Sequence, residues 1–430
     1  MTEILLILLF IVLMAIGVPI SFSLGIVAFA GINTLANIPN IVIFNKMFYG
    51  LNSFVLLAVP LFILAANLMN HGKISKMLID FSVALVGHIR GGLAHANIIV
   101  SMIFAGVSGS SQADTAGVGQ VLIPAMEEQG YDKGTSVGVT AISSTLSSII
   151  PPSITMVVYA GVTNVSVAAL FFSGIIPGIL LGLGMMLVVA IKGKRLNFPK
   201  SDKVPFREVF KLFIKSLPAL FTPVIIIGGI ITGWYTPTEA AGFACLYAMF
   251  IGLFVYKTLT LKVIPSIIVD TLKLSSLSLF ALATANALGE LMGYYKIQEV
   301  VSGLFASGSG SPVLFMISVV LFFLFVGTFM DGVPAMILFV PVILPTAMSL
   351  GIDPIHLGLV VIITLALGLV TPPYGLCLLI AGSISGITVE ESFKGVLPYL
   401  LISIAVLVLV MLFPQVFIGI PKLLNPKLFL

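Results

Sequence analysis

The stretch "GVSGSSQADTAG", residues 106–117, interrupts a run of apolar residues that continues on both sides of it. Its serines, its glutamine and Asp114 are costly in hydrocarbon, and irregular backbone is tolerated there only where it faces protein or a water-filled cavity. The region around it, Gly91 to Gly130, would be about 60 Å long as one helix, twice the ~30 Å of a bilayer core. Its apolar arms are shorter than the ~20 residues a full crossing needs, so it reads as a re-entrant helical hairpin with its tip on a cavity. Pro312 to Gly351 has the same build around "GTFMDGVP", residues 327–334.

The rest of the chain fits that reading. Of 430 residues, 59% are hydrophobic and 8% charged, against about 25% charged in soluble domains. Apolar runs of helix length recur and period-two alternation does not, which predicts an all-α polytopic membrane protein. The net charge of +4 is gathered in a few loops, where it sets orientation and leaves no nucleic-acid footprint. "KGKRLNFPKSDKVPFREVFKLFIK", residues 192–215, is the most basic connection and is assigned to the cytoplasm. Cys245 and Cys377 stand in separate apolar stretches and are read as packing residues. Glu3 precedes the first apolar stretch without Lys or Arg, unlike a cleavable signal peptide.

An internal repeat organises the whole. An offset of 221 carries Gly106 to Gly327, Pro124 to Pro345, Gly130 to Gly351, Asp132 to Asp353, Pro151-Pro152 to Pro372-Pro373 and Pro177 to Pro398. Matching apolar letters are cheap here; matching glycines and prolines are not. Five crossings separate the two hairpins, an odd number, so the repeats are inverted, the pattern of secondary transporters. The expected division is 1–70 N-terminal scaffold helices, 71–90 a surface arm helix, 91–192 transport repeat 1, 193–292 a cytoplasmic loop and scaffold helices, 293–311 a second arm helix, and 312–430 transport repeat 2.

Each repeat also holds a helix broken by a double proline, "STLSSIIPPSIT" (144–155) and "ALGLVTPPYGL" (366–376). Two prolines remove two backbone donors and free carbonyls at the end of the first half-helix, a partial negative end suited to a cation. Ser108, Ser110, Ser111, Ser147 and Ser148 offer hydroxyl oxygens in repeat 1, while Gly327, Thr328, Met330 and Thr371 offer mainly backbone oxygens in repeat 2. The competing reading is that these hydroxyls bond back to their own helices. Asp331 either caps the returning half-helix or touches substrate or coupling ion; contact is the reading adopted here, with Ser110 its symmetry equivalent across the cavity. Asp114 is expected to cap its helical arm. The four histidines, His71, His88, His95 and His356, suggest no transition-metal site. "GVSG", 106–109, matches a short intramembrane serine protease motif, but such an enzyme needs a general base beside the serine, and His356 is placed at the far end of its helix. No GxxxxGK[ST] loop is present, so no ATP hydrolysis by that machinery is expected.

The run "GHIRGGLAHANIIVSMIFAGVSGSSQADTAGVGQVLIPAMEEQGYDKGTSVG", residues 87–138, followed by "SIIPPSI", resembles the large membrane subunit of tripartite ATP-independent periplasmic (TRAP) transporters over essentially the whole chain. The resemblance implies a bacterial inner-membrane protein with an elevator-type transport domain, sodium as coupling ion and no other cofactor. It also implies two partners, a small four-helix membrane subunit and a periplasmic substrate-binding protein, and an organic acid as substrate. Because the chain begins "MTEILLILLF", the small subunit is expected to be a separate chain. By motif, Ser108, Gly109, Ser111, Ser148 and Pro151 match one sodium site, and Gly327, Thr328, Met330, Thr371 and Pro372 the other. Ser110, Ser153, Thr155 and Asp331 match the substrate site. The wording of both tips points to sialic acid ahead of a C4-dicarboxylate. The competing transport class is a stand-alone sodium/divalent-anion elevator carrier.

Overall fold

The structure, a computed structural model, describes residues 2–35, 38–72, 74–296, 303 and 311–429. Helices α1 (Thr2–Ala15) and α2 (Ile20–Ile32) fold back on each other about a turn at Gly17, with Leu6 beside Gly31. At about 21 and 20 Å neither reaches across a bilayer core, so the first apolar stretch is a hairpin rather than a long span. Helix α3 (Ile41–Leu51) meets α4 (Ala58–His71) at a 68° bend. Then come α5 (Ile74–Val86) and the first paired hairpin, α6 (Gly92–Ser108) with α7 (Ser111–Glu128). The broken helix α8 (Lys133–Ser144) and α9 (Ile154–Thr163) follows, then α10 (Val167–Arg195). Helices α11 (Phe206–Ile231), α12 (Pro237–Phe250) and α13 (Ile264–Tyr294) lead to the second hairpin, α14 (Pro312–Phe329) with α15 (Gly332–Ser349). The second broken helix is α16 (Pro354–Gly368) and α17 (Leu376–Ser385), closed by α18 (Val389–Leu412). Among the described residues seven helices are long and apolar enough to cross a membrane, or eight with the bent α3–α4 pair.

The repeat read from the sequence reappears helix by helix. Adding 221 to the bounds of α6, α7 and α8 gives starts of 313, 332 and 354, and the observed helices start at 312, 332 and 354. Asp132 and Asp353 cap α8 and α16, accepting from Thr135 N–H at 2.7 Å and from Ile355 N–H at 2.7 Å. Both double prolines, Pro151-Pro152 and Pro372-Pro373, fall at the breaks. The same offset carries 41–71 to 262–292, close to the span of α13, so the duplication reaches these helices too; the first copy is bent where the second is one continuous helix.

The expected arm at 71–90 contains α5, which packs on α6 and α11, with Ser216 donating to the Met77 carbonyl at 3.1 Å. Of the second arm, 293–311, residues 297–302 and 304–310 lie outside the described residues. The basic connection is shorter than its composition suggested: α10 continues to Arg195 and α11 begins at Phe206. Lys192, Lys194 and Arg195 occupy the last turn of α10, where cations meet the negative end of the helix.

The two repeats are locked together by α8 and α18. A Cβ on Gly138 would collide with the backbone of Gly395, and one on Gly395 with the carbonyl of Gly134. Only glycine permits that approach, and the spacing Gly134-x-x-x-Gly138 is the small-residue pattern by which helices meet in membranes.

Candidate functional site

The two hairpin tips converge on one cavity of about 840 Å³. Residues 108–113 of the first tip line it, with Asp331 and Val333 of the second and Thr155 of α9; α4 contributes Asn67 and Asn70, and α13 contributes Leu274 and Ser278. The cavity is thus walled by both repeats together with α4 and α13. It extends along α7 to Gln120 and along α4 to His71, toward the base of the first hairpin. That base is the end assigned to the cytoplasm by the basic connection. Helix α13 also packs against α15.

In the first tip, Ser110 caps α7, its hydroxyl accepting from Ala113 N–H at 3.4 Å. Asp114 therefore does not cap the helix, contrary to the sequence reading. Four residues beyond the cap it has turned to the broken helix, where it accepts hydrogen bonds from the hydroxyls of Ser108 and Ser147 and is fully buried. Beside it, the Ser111 and Ser148 hydroxyls lie 2.7 Å apart. The Gly109 backbone meets the second half-helix, its carbonyl accepting from Ile154 N–H at 3.4 Å. Ser108, Gly109, Ser111 and Ser148 are brought together, with Pro151 buried behind them. Ser153 lies outside the cavity wall: it caps α9, accepting from Met156 N–H at 3.3 Å, and donates to the Ser148 carbonyl at 2.7 Å. Its neighbour Thr155 reaches the cavity and also donates to that carbonyl, at 3.0 Å.

The second tip is built from backbone. Gly327 and Gly368 approach so closely that a Cβ on Gly368 would lie 2.6 Å from the Gly327 Cα. The Thr328 carbonyl accepts from Gly375 N–H at 3.2 Å, and Thr371 N–H donates to the Gly368 carbonyl at 3.0 Å. The Thr328 and Thr371 hydroxyls bond back to the Phe325 and Leu367 carbonyls. Met330 ends α14, and Pro372 follows Thr371 at the break. None of these five residues lines the cavity.

Asp331 satisfies both of the readings open in the sequence. It caps α15, accepting from Gly332 N–H at 2.8 Å, and it lines the cavity. It also accepts from the Gln112 side-chain amide at 2.8 Å, a bond between the two tips that the sequence reading missed. The polar face of α4 was missed as well. Asn67, Asn70 and His71 at i, i+3 and i+4 on an otherwise apolar helix were its signal. Asn67 also ties α4 to α13, donating to the Thr271 hydroxyl at 2.9 Å. Among the described residues no histidine pairs with Ser108, as the protease reading would need: Ser108 donates to the Asp114 carboxylate, and His356 Nε2 lies 2.9 Å from the Val410 carbonyl.

Comparison with known proteins agrees with this geometry. The family model described as "Tripartite ATP-independent periplasmic transporter, DctM component" matches residues 7–416. The sialic acid TRAP transporter large permease protein SiaM of Vibrio cholerae is 37% identical over 422 residues, 96% of each chain. The C4-dicarboxylate TRAP transporter large permease protein DctM of Rhodobacter capsulatus is 35% identical over 431 residues, 97% of this chain and 98% of that one. Among solved structures, the YdaH transporter of Alcanivorax borkumensis shares the fold, with a TM-score of 0.61, 15% identity and 88% of each chain covered. With inverted hairpins, broken helices and a near full-length family match on one multi-pass inner-membrane chain, the protein is a transporter subunit and not an enzyme: it belongs to the TRAP transporters, as their DctM component, the large permease subunit.

Proposed function

We propose that this chain imports an organic acid by sodium-coupled secondary transport, in complex with a small membrane subunit and a periplasmic substrate-binding protein. The observation that carries the reading is the convergence of both tips on one cavity, beside which we read two oxygen nests that hold no Lys, Arg or His of their own. Hydroxyl and carbonyl oxygens at broken helices are the donor set a sodium ion takes in secondary transporters. Ser108, Gly109, Ser111 and Ser148, with Pro151 behind them, would hold one ion; Gly327, Thr328, Met330, Thr371 and Pro372 would hold the other. Asp331, Ser110 and Thr155 would meet the substrate, with Ser153 positioning Thr155 from behind. The relatives are named for sialic acid and for C4-dicarboxylates, and of these the wording of the tips favours sialic acid.

The cavity opens toward the first hairpin's base, which supports reading this as the state that releases substrate inward. An elevator movement of the paired repeats against α4 and α13 would open the other side. The test is reconstitution with the small subunit in proteoliposomes, following labelled sialic acid and labelled succinate with and without binding protein. Uptake is expected only with an inward sodium gradient and the binding protein. Undiminished uptake without any sodium gradient would overturn the coupling.

A further inference from the structure

Gln112 stands between the two tips. Its amide Nε2 donates to Asp331 Oδ1 at 2.8 Å, and its Oε1 accepts from the Ser110 hydroxyl at 3.3 Å. All three side chains line the same cavity. The bond joins hairpins 219 residues apart in sequence, and it has no symmetric twin, because the position equivalent to Gln112 is 112 + 221, Val333.

Asp331 Oδ1 already accepts from Gly332 N–H, so the amide supplies the second bond that fixes the carboxylate plane. Among the described residues Oδ2 accepts no hydrogen bond. An amide donor does this without neutralising the charge, as a lysine or arginine would. A side-chain amide also has an acceptor at its other end, and here that end holds the Ser110 hydroxyl, so one side chain sets the direction of two of the polar groups that line the cavity. We infer that Gln112 is the positioning residue of this cavity: it holds the Asp331 carboxylate oriented across the gap between the tips, so that ligand affinity depends on the pair rather than on Asp331 alone. The inference rests on the proposed reading of the cavity as the substrate site.

The test uses the complex in proteoliposomes and whichever of labelled sialic acid or labelled succinate the wild type imports. Gln112→Leu is expected to raise the half-saturating substrate concentration roughly tenfold, the size of one hydrogen bond to a charged group, with a smaller change in maximal rate and normal membrane abundance. Gln112→Glu sets two carboxylates face to face and is expected to lose more. Combining Gln112→Glu with Asp331→Asn restores one charge and one bond, with the charge moved to the other tip, and should recover uptake well above either single variant. A Gln112→Leu variant with unchanged half-saturation, or a double variant no better than the worse single, overturns the inference.

A second measurement does not depend on transport. Cysteines at 112 and 331, in a chain with Cys245 and Cys377 replaced by Ala, should be joined in membranes by a short bis-maleimide, keeping the two halves together after cleavage at a protease site placed in the 196–205 loop. Failure to link them overturns the geometry. Linkage without any sodium-driven uptake by the wild type would instead count against the proposed transport reading, so the two failures are distinguishable.

Discussion

The two hairpin tips share a fold and differ in chemistry. At the first, the ligating candidates are side chains: Ser108, Ser111, Ser147 and Ser148 around the buried Asp114. At the second, the equivalent of Ser147 is Gly368, that of Ser111 is Gly332 and that of Asp114 is Ala335, each found by adding 221. Backbone carbonyls take over where the hydroxyls have gone. Duplication preserved the break points that shape a nest and left the source of its oxygens free to change. The two nests should therefore respond differently to mutation, since one can be stripped atom by atom and the other only by moving the chain.

The largest expected effect follows from that second case. Gly368→Ala places a methyl 2.6 Å from the Gly327 backbone, so hairpin and broken helix must part. Uptake should fall below about a tenth of wild type and the melting temperature of the purified complex should drop, since overpacking of this kind costs about 1–3 kcal/mol. Normal uptake by Gly368→Ala would mean that the close approach does not shape the nest.

Asp331→Asn comes next. Asparagine keeps the shape and much of the capping ability, so a carboxylate that served only as a cap would leave transport nearly intact. A cavity role predicts a loss of about tenfold or more in kcat/KM at normal abundance, and a smaller loss for Ser110→Ala, whose hydroxyl is neutral. Equal losses at the two symmetry-related positions would erase the contrast between the tips.

The smallest effect belongs to Ser108→Ala. It removes one of the two hydroxyls that Asp114 accepts from and leaves the backbone in place. The sodium concentration for half-maximal uptake should rise about three- to tenfold, the size of one hydrogen bond, with the fold retained. An unchanged sodium dependence would remove the side-chain oxygens of the first tip from the ion site.

What was legible in the sequence was whatever the backbone dictates. Pro151-Pro152 and Pro372-Pro373, Asp132 and Asp353, and Gly130 and Gly351 mark breaks, caps and turns by local chemistry, and the helices begin and end where those residues require. Contacts were harder to read. Symmetry related Asp331 to Ser110, but positions exchanged by a two-fold need not touch, and the longer Gln112 side chain makes the connection. Asp114 stands in the first turn of α7, which suggested a cap; with Ser110 already in that role, helical periodicity turns Asp114 toward Ser147, 33 residues away. The scaffold wall of the cavity was hidden because α4 is apolar apart from a few polar positions, and their common face appears only once the helix is set against α7.

The contact between α8 and α18 has a mechanical consequence. One belongs to the first repeat and one to the second, and at Gly138 and Gly395 no side chain lies between them that could change rotamer and let them slide. A joint without moving parts transmits force instead of absorbing it. If the repeats move along the membrane normal as proposed, displacement of the first oxygen nest is displacement of the second by the same amount. Two ions carried in those nests would begin and end their journey together, and neither could leak across alone while the other stayed behind.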